Sequence, residues 1–293
     1  MLPLLKQGKL EIGVLPEPAA TQLTKMASDK TWYRTDLQAL YDNQTKAYPQ
    51  AVVLIKQSFL NTYPSAVTEL ANAFGGNVNW VKENTTQAVN AVNNALVSGE
   101  PSLKSANITA QVVDNCKIYW QSASDAKQSV NQYLNDIISL ESNSAKTVDD
   151  GFYYTGSGVS GQFTNQTVTV FAPDGAPALA IAKFINDNET FGTEKTFEYK
   201  VVSSSDIGSK VASGAGDIVI LPINAASKLY KSHASDTYQM AGVVTHGNLY
   251  IMSSVPFITL ANKNVGVIGQ GLVPDLTFRT ILNKNKLEVS VKA

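Results

Sequence analysis

The sequence predicts an α/β protein of two homologous lobes, each a sheet flanked by helices, with the second lobe cut open and its order circularly permuted. Three observations predict it. Thr167–Pro222 reads as β-α-β-α-β with strands apolar enough to be covered on both faces, the pattern of a parallel sheet between helices. The same order recurs from Asn264 to the C-terminus and resumes at the N-terminus. Finally, Gly214-Ala-Gly-Asp-Ile-Val-Ile-Leu-Pro-Ile-Asn-Ala-Ala226 aligns with Gly8-Lys-Leu-Glu-Ile-Gly-Val-Leu-Pro-Glu-Pro-Ala-Ala20.

In the first lobe, Thr167–Ala172 is a β-branched strand that ends at Pro173-Asp-Gly-Ala-Pro177. A helical pattern follows (Ala180, Ile181, Phe184, Ile185), then a strand at Phe197–Val202 and a serine turn at Ser203–Ser205. A short helix (Ile207–Ala212), a glycine stop (Gly214, Gly216) and the strand Asp217–Pro222 complete it. In the second lobe, Asn264–Ile268, the turn Gly269–Asp275 and the helix Leu276–Asn283 repeat the first strand, turn and helix. Leu287–Ala293 repeats the second strand. Leu2–Gly8 is then the second helix with its glycine stop, and Leu10–Pro16 the third strand. A helix that begins at Met1 without a Ser, Thr, Asp or Asn cap fits an artificial start.

The rest of the chain fills in around this repeat. Pro16-Glu-Pro18 ends a strand and opens the helix Ala19–Met26, proline being tolerated in a first helical turn. Arg34–Tyr41 reads as a strand and Ala51–Ile55 as a fully apolar one near the return crossing between lobes. From Ser58 to Leu140 the pattern is helical: Ser65–Phe74, Asn77–Glu83, Thr86–Leu96, Thr109–Tyr119 and Asp125–Leu140 are expected to pack as a cap on the first lobe. Asp149–Thr167 is rich in Gly and Ser, a flexible joint in which Gly156-Ser-Gly158 reads as a splice of older termini. Leu249–Ser254 should cross into the second lobe. The expected division is 1–43 with 249–293 as the second lobe, 44–154 as return strand and helices, 155–163 as linker and 164–248 as the first-lobe core.

Composition sets the outer bounds. The 293 residues exceed one average domain, and 44% hydrophobic content supplies ordinary cores. A net charge of −1 with scattered Lys and Arg gives no electrostatic footprint for nucleic acid or an anionic membrane. No apolar run approaches the roughly 20 residues that span a bilayer, and no signal peptide precedes Met1, so an exported parent is expected to have lost its targeting segment here. One cysteine, Cys116, excludes an intramolecular disulfide and a multi-cysteine metal site, and two histidines, His233 and His246, leave little for a His-rich one. No metal and no cofactor are expected. Arginine is rare: Arg34 and Arg279.

At Phe171–Pro177, Asp217–Pro222, Thr245–Asn248, Gly266–Gly271 and Leu15–Pro18 the sequence resembles the substrate-binding proteins of ABC importers with the type II periplasmic-binding fold. The branch is the one grouping sulfonate, nitrate and taurine binders with thiamine-pyrimidine binders, and the likeness is to lipoproteins of Gram-positive anaerobes. With the permutation undone it covers nearly the whole chain, and the joint order of the motifs carries it. The order departs from the family's, which would start at Thr167 and end near Tyr154. The resemblance implies two lobes, hinge closure on one small molecule, a monomer, an ABC permease as partner of the unpermuted parent, and an extracytoplasmic, lipid-anchored parent.

Ligands of open α/β sheets bind beyond the carboxyl ends of the strands. That rule nominates Asp174, Gly175, Ala176, Ser203, Ser204, Ile223 and Asn224 in the first lobe and Thr245, His246 and Asn248 at the hinge. In the second lobe it nominates Gln270, Gly271, Leu272, Asp275, Glu17 and Pro18, with Tyr48 and Trp80 as aromatic walls. Each has a structural alternative. Gly175 and Gly271 let backbone approach a ligand ahead of a helix N-terminus, or simply make tight turns. Asp174 and Asp275 contact ligand or cap helices. His246 is a hinge ligand or a satisfied structural histidine, and Trp80 a wall or a core residue.

The nominated turns offer Asp174, Glu17 and Asp275 and no arginine. Uncompensated carboxylates in a closing cleft disfavour an anion and favour a neutral or basic nitrogen-containing solute. Catalysis is not expected. Gly266-x-x-Gly269-x-Gly271 lacks dinucleotide spacing, no phosphate-binding G-x-x-x-x-G-K-[ST] loop exists, and Ser160 lacks a nucleophile elbow. The expected function is therefore non-catalytic solute capture. The alternatives are an engineered ligand sensor built on the permuted scaffold or, further off, an enzyme that converts a small molecule.

Overall fold

The computed structural model describes residues 1–26, 30–41, 48–97, 99–232, 236–256 and 263–286. The strands are β1 (Ile12–Pro16), β2 (Tyr33–Asp36), β3 (Pro49–Lys56), β4 (Ile118–Ser122), β5 (Thr167–Pro173), β6 (Thr196–Val202), β7 (Ile218–Pro222), β8 (Tyr238–His246), β9 (Leu249–Ser253) and β10 (Val265–Val267). They form a six-stranded sheet in the order β4-β8-β3-β7-β5-β6 and a four-stranded sheet in the order β10-β1-β9-β2. The fold is mixed α/β, two sheets flanked by helices.

The repeat read in the sequence is present in the hydrogen bonding. β5 runs parallel to β6 and β7, and β3 runs antiparallel to β7 with Ala51 opposite Pro222. In the smaller sheet β10 runs parallel to β1, and β9 runs antiparallel to β1 with Leu249 opposite Pro16. Pro222 and Pro16 are mates in the sequence alignment, so strand order, direction and register all correspond. The helix stops correspond too. Ala215 N and Gly216 N both donate to the Lys210 carbonyl (3.0 and 3.2 Å), as Lys9 N and Leu10 N both donate to that of Leu4 (2.9 and 3.2 Å). Gly214 and Gly8 sit at φ +66° and +72°, a left-handed conformation that only glycine adopts without strain. One strand later, Lys56 N donates to the Asp217 carbonyl and Ser254 N to that of Glu11. The expected strand Leu287–Ala293 lies outside the described residues.

Several expected elements differ, each for a tertiary reason. Ser65–Phe74 and Asn77–Glu83 are one helix, Ala66–Glu83, because the apolar stripe (Leu70, Phe74, Val81) runs straight through the Gly75-Gly76 pair. Asn77 sits buried in that stripe, donating to the Ala180 carbonyl (2.6 Å) and accepting from Lys183 N (2.9 Å), and so joins the helices Ala176–Leu179 and Ala182–Asp187. Thr109–Tyr119 is not one helix. Ala110–Asn115 ends at Lys117 (φ +51°), and the β-favouring Ile118-Tyr-Trp120 joins the sheet edge beside β8. Arg34–Tyr41 is likewise split: β2 stops where Asp36 Oδ1 accepts from Gln38 N (2.9 Å) and the helix Gln38–Tyr41 begins. In the linker, Gly156 and Gly158 have positive φ, and Phe163 N is tied to Thr62 Oγ1 (2.9 Å).

Two large cores organise the packing. One lies between the larger sheet and the helices Ala66–Glu83, Thr85–Asn94 and Ala182–Asp187. The other starts on the opposite face of that sheet (Val52, Leu54, Val219, Leu221). It continues through the helix Ala123–Leu140 to Leu276, Phe278 and Ile281 of the helix Val273–Lys284 and to Ile12 and Val14 of β1. The helix Ala123–Leu140 is therefore not only a cap on the first lobe. Its second half carries Tyr133, whose hydroxyl meets Thr277 Oγ1 (2.6 Å), and Asp136, which meets Lys284 (2.7 Å). The two lobes share this apolar surface.

Candidate functional site

The chain passes from the larger to the smaller sheet at Gly247-Asn248, between β8 and β9. His246 closes β8 and Tyr250 is the second residue of β9, with Gly247-Asn248 in neither strand between them. An added Cβ at Gly247 would meet Gln38 Cγ at 2.6 Å and the Tyr48 ring at 2.7 Å, which locates those two side chains.

Beside the crossing a polar network links both lobes. Glu17, 2% exposed, follows β1, and its N–H donates to the Asn248 carbonyl (3.0 Å). Its carboxylate accepts from Thr21 N (3.0 Å), Thr21 Oγ1 (2.8 Å) and Asn115 Nδ2 (3.3 Å), and pairs with Arg34 Nη1 at 2.6 Å. The Arg34 guanidinium lies 3.5 Å from the centroid of the Tyr250 ring, and the Tyr250 hydroxyl donates to the Asn115 carbonyl (2.9 Å). Glu17, Arg34 and Tyr250 belong to the smaller sheet's lobe and Asn115 to the larger one's helices. The network therefore spans the gap between lobes.

His246, fully buried, closes β8 just before the crossing. Its ring stacks on Tyr119 (3.6 Å between centroids, 3° between planes), and Nε2 meets Gln121 Oε1 at 3.2 Å. The Gln121 amide nitrogen donates to the Asp125 carbonyl (3.2 Å), so its oxygen faces the histidine and Nε2 must carry the proton. Burial pushes the imidazole pKa down to about 3, so the ring is neutral near pH 7 and Nδ1 is a bare lone pair. Nδ1 has no partner among the described residues, nor have Asn248 Oδ1 and Arg34 Nη2. Buried polar atoms are nearly always hydrogen-bonded, so these atoms, with Thr245 Oγ1 and the Tyr48 hydroxyl likewise unpartnered among the described residues, single out the crossing as a candidate site.

The other nominated residues fall into separate groups. Asp174 accepts from Ser102 N (2.7 Å) through Oδ2, while its Oδ1 is buried and unpartnered among the described residues. Gly175 adopts φ +110° with open space on its Cβ side, but the helix beginning at Ala176 is only four residues long. The helix that was expected to point N–H groups into the cleft is thus a single short turn at this position. Ser203 bonds Ser205 (2.7 Å) and Ser204 is exposed. Asn224 is buried and donates to the Ser144 carbonyl (3.3 Å). Gln270 is exposed, and Leu272 is 54% exposed beside Gly271.

Asp275 takes its capping alternative. It accepts from Gly271 N (2.8 Å) and is gripped by Arg279 through Nε (2.9 Å) and Nη2 (2.7 Å), with Glu141 completing the cluster (2.7 Å). Two of the three carboxylates thought uncompensated, Glu17 and Asp275, thus have arginine partners, and the charge argument against an anion reduces to Asp174. Tyr48 is a core residue stacked on Tyr133 (5.5 Å, 12°). Thr245 is buried, and its hydroxyl has no partner among the described residues. Trp80 is half-buried against the helical core of the larger lobe. His233 lies outside the described residues.

Sequence reasoning missed Arg34, Asn115, Tyr119, Gln121 and Tyr250. The rarity of arginine was the one signal that pointed to Arg34. An apolar cavity of about 20 Å³ among Val53, Phe74, Trp120 and Phe184 is too small for a solute. A groove of about 480 Å³ at Glu11, Lys30, Tyr33 and Ser254 lies at the opposite end of β1 from Glu17. Among the described residues no His, Cys, Asp and Glu cluster could hold a metal, and no helix is long and apolar enough to cross a membrane.

No family model matches the chain, and no curated protein matches it. Among solved structures it is similar to NikA from Brucella suis, determined in complex with Fe(III)-EDTA, with a TM-score of 0.30 and 8% identity. The match covers 94% of this chain and 58% of that one, so the chain spans little more than half the length of that neighbour.

Proposed function

We propose that the chain is a non-catalytic solute-binding protein that holds one small molecule between its lobes at the β8–β9 crossing and closes around it. The observation that carries this is the set of buried atoms on His246, Asn248 and Arg34 that have no partner among the described residues, beside a network to which both lobes contribute. A site made of groups from two bodies is completed only when they come together, which couples binding to closure.

The matched stops, registers and strand directions support a circular permutant of a duplicated fold. On this reading the parent is an ABC importer receptor of the type II periplasmic-binding kind, extracytoplasmic and lipid-anchored, partnered by a permease. The permuted chain acts as a monomer. Native mass spectrometry of the purified protein tests the binding claim. A one-to-one adduct of small mass, lost on denaturation, is expected. A bare chain that also shows no thermal shift across a broad small-molecule library would overturn it.

A further inference from the structure

The two lobes meet on both faces of the smaller sheet, and the two meetings differ in kind. Ile12 and Val14 of β1 lie in a core shared with Leu276 and Ile281 of the helix Val273–Lys284 and with Leu134 and Ile137 of the larger lobe's helix Ala123–Leu140. Leu15, on the other face of β1, lies in a core with Leu5, Ala20, Leu23, Tyr250 and Met252. Every member of that second core belongs to the smaller lobe. Among the described residues, then, no buried apolar cluster joins the lobes on the face of the helix Ala19–Met26.

What crosses there is polar. Lys25 Nζ donates to the Ala106 carbonyl (2.8 Å), Asn115 Nδ2 to Glu17 Oε1 (3.3 Å) and the Tyr250 hydroxyl to the Asn115 carbonyl (2.9 Å). Lys25 is exposed and Asn115 half-buried, so water can replace these bonds and each contributes little net stability. Parting the lobes on the opposite face would uncover Leu134, Ile137, Leu276 and Ile281 and break the Tyr133–Thr277 hydrogen bond and the Asp136–Lys284 pair. Each buried aliphatic side chain exposed there costs more than one solvent-accessible hydrogen bond lost on the first face. The face that yields is the one with Lys25 and Asn115.

We propose that the lobes pivot on the packed helices Ala123–Leu140 and Val273–Lys284 and are fastened on the opposite face by a latch of the chain's own side chains. Lys25 and Asn115 are its movable members, and the proposal rests on the closure reading above. Asn115 engages Glu17 and Tyr250, the smaller lobe's part of the crossing network, and Lys25 reaches beyond it to the turn Ser105–Asn107. The latch sets what share of chains rests shut before a solute arrives. Only shut chains present an assembled site and only open ones admit a solute, so a stronger latch raises affinity and slows entry.

Dipolar distances between nitroxide pairs test this on the whole chain, freed of small molecules by unfolding, dialysis and refolding. One pair, Lys9→Cys with Lys104→Cys, spans the latch face, and the other, Asn135→Cys with Asn283→Cys, spans the pivot; all four positions are exposed. In the double variant Lys25→Met with Asn115→Ala the ratio of shut to open chains, read from the latch-face pair, is expected to fall about tenfold. The pivot pair is expected to keep its distribution. Lys25→Met alone, at an exposed position outside every core, should give about a twofold fall, with far-ultraviolet circular dichroism confirming that both variants fold. A latch-face distribution unmoved by both variants, or a pivot pair that lengthens as much, overturns the proposal. Because every sample is free of small molecules, those results would leave solute-driven closure standing, whereas a wild-type chain that fails to shorten when loaded would remove closure on a solute and leave the latch.

Discussion

Arg34→Ala is expected to destabilise the protein by about 3 kcal/mol, read as a fall in the denaturant midpoint without a change in slope. Glu17 is buried with a side-chain exposure of 0%, and Arg34 Nη1 at 2.6 Å is its only cationic partner among the described residues. Truncating the arginine leaves a carboxylate with three neutral donors and little access to water. Removing one member of such a pair costs more than the pair contributes. Arg34 is itself 27% exposed, so solvent reaches the vacated space and the cost falls at the low end of the buried-pair range. The double variant Arg34→Ala with Glu17→Gln should recover more than half of the loss, because the amide retains bonds to Thr21 without a charge to bury. Equal instability in the single and double variants would show that the packing of Arg34 on Tyr250 matters and the ion pair does not.

Acid should destabilise the protein through His246, and the sign follows from its depressed pKa. In the folded state the imidazole stays neutral down to about pH 3, whereas unfolded it protonates near the ordinary value of 6.5. Above pH 6.5 both states are neutral and nothing is lost. Below it the unfolded state binds a proton that the folded state refuses, so stability falls by about 1.4 kcal/mol per pH unit, or about 3 kcal/mol by pH 4.5. The carboxylates whose pKa values are lowered by their partners, Asp149 beside Lys231 and Asp187 beside Lys183, lose their contribution only lower still, below the ordinary carboxylate range. Urea unfolding between pH 7 and 4.5 should show the slope in the wild type and lose most of it in His246→Phe. A flat wild-type profile would place the imidazole in contact with solvent.

The duplication was legible because it is written in letters with a conformational meaning. Gly8 and Gly214 both stop a helix in the left-handed region, and Pro16 and Pro222 both end a strand at the same register. Those rules are local, so they read the same wherever a segment lies along the chain. β4 was not legible, because Ile118–Ser122 continues the apolar spacing of the preceding helix and becomes a strand only by pairing with β8. The candidate site draws on the same kind of signal. His246, Asn248 and Glu17 sit where a strand ends, a position the sequence marks. Arg34 lies on a short, half-exposed strand, and only the contacts with Glu17 and Tyr250 give it a role. Tyr48 and Trp80 were nominated for ring size, but a core selects that property as readily as a ligand site does.

The central claim, that two lobes close on a solute at their crossing, is tested most directly by the distance between them. Spin labels at Val97→Cys on the larger lobe and Leu4→Cys on the smaller one occupy exposed positions. Cys116, fully buried and with its thiol pushed well above the ordinary range by burial, should remain unlabelled. Pulsed dipolar spectroscopy is then recorded on the protein as purified and after its small-molecule content is stripped by unfolding, dialysis and refolding. A shorter, narrower distribution in the loaded sample, broadening to longer distances on stripping and restored by the returned extract, is the expected result. Identical distributions in all three samples would contradict the account.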